Sequence, residues 1–185
     1  MEANDTVKDI STVRLSVFTP GAGDELPFET DLSVQSHETF QLVNIDDGLL
    51  EIYAPNLSDQ DKQALNNGTG CLVKNPIPFS YGDTPVEHTE LSIGDTIQLG
   101  SRALRVIGII DTPITINNEG FTNGVQLIVN EEIYCSLMQD DTYSEIYLTL
   151  QDGVDTNSFE SILDDWCSKY PGAHWLSYLE SSNEM

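Results

Sequence analysis

The sequence predicts an α+β fold: an α/β lobe made from residues 1–75 and 125–185, with a β-rich lobe, residues 76–124, inserted between its two parts. Three observations predict it. From residue 125 onward strand and helix patterns alternate, an order in which helices cover a sheet. Residues 91–113 read instead as two adjoining strands with only a tight turn between them. Residues 75–90, with Pro76, Pro78, Pro85 and Gly82, suit a crossing between lobes rather than a core element.

Residues 1–11 are polar and are expected to be loose, ahead of the first strand. Residues 12–18 alternate, with Val13, Leu15 and Val17 on one side and Thr12, Arg14 and Ser16 on the other, which predicts a half-buried strand. Pro20, Gly21 and Gly23 end it, and the acidic stretch 20–38 has few apolar anchors, so a long exposed loop is expected. Residues 40–45 and 49–53 predict two strands joined at Asp46, Asp47 and Gly48, since Asp-Gly is a strong hairpin signal. Ser58 and Asp61 fit a capping pattern for a helix to Leu65, which Asn67 and Gly68 stop. A strand follows at 71–74.

Segments 96–99 and 103–110 form the most sharply specified hairpin, joined by Gly100 and Ser101, with a second turn at Gly94 and Asp95. Val106, Ile107, Ile109 and Ile110 run too continuously for a strand with one wet face, and Gly108 marks a bulge or a close backbone approach. Asn117, Asn118, Gly120, Asn123 and Gly124 predict a loop. Residues 125–129 form an apolar strand, and Asn130 caps a helix through Met138 that carries Ile133 and Leu137 on one face. Residues 145–150 alternate as a strand. Asp155 or Thr156 opens a helix with Phe159, Ile162, Leu163 and Trp166 on one face, which places Trp166 in the core. Pro171-Gly172 breaks it, and 174–179 reads as a last strand.

Seven basic residues against 31 acidic ones give a net charge of −24. That field repels phosphate backbones and anionic lipid, so direct nucleic-acid binding is not expected, and cationic partners are favoured: basic peptides, divalent ions or a basic protein face. No stretch approaches the ~20 apolar residues that span a bilayer, and no charged and apolar pair of regions marks a signal peptide. The chain reads as soluble, as an excised loop of a membrane protein would.

Motifs for chemistry are few. His37, His88 and His174 are far apart, with no HExxH, and read as surface or loop residues. Cys71, Cys135 and Cys167 form no CxxC; their odd number excludes a fully paired framework, and whether any two form a disulfide stays open. There is no phosphate-binding glycine loop, dinucleotide fingerprint or GxSxG elbow. The pairs Asp46-Asp47, Asp59-Asp61, Asp140-Asp141 and Asp164-Asp165 read as turn or helix-surface positions, and EF-hand spacing is absent. No catalytic, cofactor or metal site is predicted. Phe79, Tyr81 and Phe121 flank the β-rich lobe; exposed, they are natural contacts for a peptide, lipid or partner domain, and buried they cap the lobe.

"IGDTIQL", a short turn and "LRVIGII" together resemble the extracytoplasmic domain of MacB/FtsX-like ABC-transporter permeases, where a GD-T-x-x-L turn and strand precede an x-V-x-G-I strand. "NNGTGCLVKN" resembles the turn and strand before that family's inserted lobe, "VQLIVNEEIY" the strand and helix after it, and "SEIYLTLQDGVD" the next strand and its acidic turn. "WLSYLES" falls where the family's chain returns to its second membrane helix. The resemblance covers residues 65–185 in order; the first 60 residues depart from it, with an acidic loop where the family carries a longer helix. It implies a porter-like α/β lobe interrupted by a small β lobe, with no enzymatic activity and no cofactor. It also implies a cognate ATP-binding subunit or domain, flanking membrane helices absent from this chain, and a peptide, lipoprotein or cell-envelope protein as partner. The location implied is the extracytoplasmic face of the cell membrane. Two rivals stand beside it: a secreted hydrolase using a carboxylate pair, and a stand-alone extracellular binding module.

Overall fold

The structure, a computed structural model, describes residues 6–114 and 124–177. The fold is mixed α/β, and the chain divides into two compact units, residues 11–147 and residues 1–10 with 148–185. In chain order the elements are β1 (Val7–Phe18), β2 (Thr39–Ile45), α1 (Asp47–Tyr53), α2 (Asp59–Asn66), β3 (Gly70–Lys74), β4 (Ser80–Tyr81) and β5 (Thr84–Pro85). They continue with β6 (Thr96–Leu99), β7 (Arg102–Ile109), β8 (Gly124–Ile128), α3 (Glu131–Met138), β9 (Glu145–Leu150) and α4 (Thr156–Cys167).

A seven-stranded sheet has the order β6-β7-β3-β8-β2-β1-β9, and β4-β5 form a separate two-stranded ribbon. The pairs β2–β8 and β3–β7 are parallel, while β1–β2, β3–β8 and β6–β7 are antiparallel. The composition of β3 and β8, apolar but for Lys74 and Gln126, reflects this position: every residue of both strands is buried, as strands covered on both faces require. Phe40, Leu42, Cys71, Val73, Leu104, Val106, Val125 and Leu127 pack with Ile133 and Tyr134 of α3. Val13, Val43, Leu72, Ile107 and Ile128 pack with Leu49, Leu50 and Leu65 of α1 and α2 in a second cluster.

The predicted hairpin is present. Gly100 turns it at φ +56° and Gly94 turns at φ +100°, both in the region that glycine enters without steric cost. The register passes from Cys71 opposite Val106 to Leu72 opposite Gly108, so Ile107 is an extra residue in β7. That bulge buries Val106 and Ile107 in succession. A Cβ on residue 108 would stand 2.9 Å from Leu72 Cδ2, which accounts for the glycine. The predicted caps also form: Ser58 Oγ accepts from Asp61 N, and Asn130 Oδ1 accepts from Ile133 N at 2.9 Å.

Five local expectations are corrected. Asp46 does not turn a hairpin. Its side chain accepts from Leu49 N at 3.0 Å as the N-cap of α1, and the adjacent Leu49 and Leu50 are both buried from a helix. Here β2 already has β1 and β8 as neighbours, so a hairpin strand at 49–53 has no edge to join. Residues 20–38 are a packed strap rather than an exposed loop: Leu26, Phe28, Leu32 and Val34 lie against the core. Phe28 meets Phe18 and Phe40 with ring centroids 6.2 and 6.0 Å apart. In β1 the polar side is not the wet side, because Arg14 is buried while Val17 is 50% exposed. The apolar face of α4 buries no residue, and Trp166 is 40% exposed, stacked on Tyr170 at 4.7 Å. Residues 174–177 form no strand, and residues 178–179 lie outside the described residues. So do Asn117, Asn118, Gly120 and Asn123 of the predicted loop.

Candidate functional site

The crossing segment 75–91 is tied to the strap by polar groups that have left water. Glu38, 2% exposed, accepts from Thr89 N at 2.9 Å through Oε1 and from Gln35 N at 3.3 Å through Oε2. Thr89 Oγ1 donates to Ser33 O at 2.9 Å. The Asn75 side chain clamps Leu91 both ways, donating to its carbonyl at 2.8 Å and accepting from its amide at 3.0 Å. A carboxylate taking two backbone amides is a strong, directional anchor, so the segment between these ties is presented at a fixed place. A cleft of about 340 Å³ lies along the seam, lined by Asp31, Ser33, Gln35, His88 and Glu90 among others.

From this base the β4–β5 ribbon projects. Phe79 is half-buried and Tyr81 is 78% exposed, their rings edge to face at 5.7 Å. His37 of the strap adds a third ring, 6.0 Å from Phe79 at 84°. The structure thus brings Phe79 and Tyr81 together; Phe121 lies outside the described residues. His37 was missed as a site residue because only the packed strap brings it there, and nothing in the sequence pairs residue 37 with residue 79.

A second cleft, of about 490 Å³, opens where β2 and β8 end and α3 begins. Arg14 forms its floor. Nη1 donates to Asn44 Oδ1 at 2.9 Å, Nη2 to Glu131 Oε1 at 2.7 Å and Nε to the Asp141 carbonyl at 3.3 Å, while the guanidinium lies 4.0 Å from the Tyr143 ring centre. Every nitrogen of Arg14 is engaged, so this cation braces the end of the sheet. Asp46 on the rim is likewise occupied, accepting from the Thr12 and Leu49 amides. Glu132 pairs with Arg102. The other acid pairs of the sequence stand at helix starts, turns and helix surface: Asp59 and Asp61 in the first turn of α2, Asp140 accepting from Thr142 N at 2.8 Å, and Asp164 and Asp165 exposed on α4.

A buried polar row crosses the sheet centre. Lys74, Gln126 and Gln41 are register neighbours on β3, β8 and β2. Gln126 accepts from Ile114 N at 2.8 Å and donates to Ile114 O at 2.6 Å and to Gln41 Oε1 at 2.5 Å. Lys74 is 1% exposed, and its Nζ has no hydrogen-bond partner among the described residues. Burial lowers its pKa. The three cysteines are free thiols; Cys71 is buried, which pushes its pKa up to about 12. Among the described residues no group of three or more His, Cys, Asp or Glu is placed to hold a metal ion. No helix there is long and apolar enough to cross a membrane.

No protein-family model and no curated protein matches the chain. Its structure is similar to the periplasmic region of MacB from Actinobacillus actinomycetemcomitans, with 12% identity and a TM-score of 0.48 over 90% of this chain and 69% of that one. It is also similar to the extracellular domain of the noncanonic ABC-type transporter YknZ from Gram-positive bacteria, with 12% identity and a TM-score of 0.45 over 82% of this chain and 70% of that one.

Proposed function

We propose that the chain is a non-enzymatic extracytoplasmic domain of a MacB/FtsX-like ABC-transporter permease. A cognate ATPase inside the cell drives the membrane helices, and this domain couples their motion to export, ligand binding or signalling outside. The observation that carries the reading is the segment "IGDTIQL"–"LRVIGII", which supplies β6 and β7 with their two glycine turns, followed in order by the strand, helix and strand patterns of that family. The division into residues 1–75, 76–124 and 125–185 belongs to the same proposal. So does the role of Phe79, Tyr81 and Phe121 as contacts for a peptide, lipoprotein or envelope protein, with Tyr81 the most exposed aromatic of the pair described.

The test is the parent reading frame on either side of residues 1 and 185. The proposal expects an apolar segment of ~20 residues shortly before the first strand and another shortly after the last residue. A cleavable leader alone, with a stop soon after residue 185, contradicts it.

A further inference from the structure

We infer that the surface around His37, Phe79 and Tyr81 takes a basic segment of another protein, an extended peptide whose Lys or Arg side chains lie against the Tyr81 and Phe79 rings. The inference rests on the reading of this chain as a partner-binding domain and assigns the chemistry of the partner. Three observations carry it. First, the aromatic group is exposed although its base is not loose: Tyr81 is 78% and Ile77 40% exposed. The segment beneath them is held by the buried Glu38 carboxylate and by Asn75. Ordering cost on binding is therefore low. Second, the chain segments that build it carry formal charge of one sign. No Lys or Arg occurs in residues 15–61 or 75–101, the two stretches that build this surface, whereas Asp31, Asp83, Glu87 and Glu90 are all exposed there. Third, the two kinds of group suit one ligand. Aromatic faces attract ammonium and guanidinium groups, and carboxylates at the rim speed and orient the approach of a cationic chain. A neutral apolar partner would use the rings and leave the acidic rim unanswered.

The test is fluorescence anisotropy of the 185-residue chain with a labelled peptide of four Arg-Gly-Leu repeats, beside the same peptide with Gln for Arg. Tyr81→Ala should weaken binding about 3- to 10-fold, and Glu87→Gln with Glu90→Gln should weaken it by a similar factor. Asp164→Asn with Asp165→Asn, which removes the same charge from α4, should leave it unchanged. All these positions are exposed, so the substitutions leave the buried core untouched, and circular dichroism of each variant checks that it is folded. The inference is overturned if the two charge pairs weaken binding equally and Tyr81→Ala has no effect, since attraction is then diffuse. Equal affinity for the Gln peptide also overturns it, and so does no binding of the Arg peptide at low salt. These outcomes are separable from the transporter proposal, which the flanking sequence decides independently.

Discussion

Arg14 and Glu131 form a 2.7 Å ion pair in which the Arg14 side chain is 5% exposed and the Glu131 side chain 65%. The pair is lopsided: β1 buries the cation at the end of the sheet, and α3 holds the carboxylate in solvent at its first turn. Water already screens the anion, so the Coulombic part is worth little. What Arg14 supplies is the bond to Asn44, the bond to the Asp141 carbonyl and the contact with Tyr143.

Arg14→Ala should therefore destabilise the fold by about 2 kcal/mol or more, because buried Asn44 Oδ1 loses a charged donor. Glu131→Gln should cost under about 1 kcal/mol. Urea unfolding of both variants checks this. Equal losses would mean that the ion pair itself, and not the burial of Arg14, braces the sheet.

Lys74 leads to a prediction of opposite sign. Its folded pKa lies below the ordinary lysine value of 10.5. Between the two values the unfolded chain binds more protons, so this residue makes stability rise with pH, and its cost is present in full below the folded pKa. Lys74→Met keeps the volume and removes an amino group that has no hydrogen-bond partner among the described residues. It should stabilise the protein at pH 7 by about 1–3 kcal/mol. The variant's advantage should shrink as pH approaches 10.5. A less stable variant at pH 7 would show that Lys74 Nζ has a partner in solution.

The thiols should react in two classes. Cys71, buried and shifted up to about 12, forms almost no thiolate at pH 8, whereas Cys135 and Cys167 are only half-buried. Ellman's reagent should count two thiols in the native chain and a third only in denaturant. A Cys71→Ser variant that loses a fast-reacting thiol would contradict the burial of β3.

At Gly94 the backbone stands at φ +100°, and a Cβ added there would have no atom within 4 Å. Gly94→Ala therefore meets no steric clash, and the cost is torsional, about 1–2 kcal/mol. A neutral substitution, measured by thermal unfolding, would show that the turn before β6 adopts another shape.

The sequence was most legible where local and tertiary demands agree. The β6–β7 hairpin, the Ser58 and Asn130 caps and the buried runs of β3 and β8 each follow from a few adjacent residues. It was misleading where a distant partner decides. Asp46-Asp47-Gly48 carries a hairpin signal, yet β8 occupies the edge that a hairpin strand would need, so Asp46 caps a helix. Arg14 reads as a solvent-facing residue until Asn44, Glu131 and Tyr143 arrive around it. The strap has only Leu26, Phe28, Leu32 and Val34 as anchors, spaced to no regular period, and its packing was invisible. At the candidate site, Phe79 and Tyr81 were readable as a nearby pair; His37 was not, because its place beside them depends on that strap.

The proposed placement of this domain, outside the cell as part of a permease, is open to direct test. The most direct measurement inserts a short epitope at the exposed Gly82–Asp83 turn of the β4–β5 ribbon, in the full-length parent protein in its native host. Antibody binding to intact cells, or to spheroplasts where an outer membrane is present, is the expected result. Binding only after the cytoplasmic membrane is permeabilised would place the domain inside the cell and contradict the account.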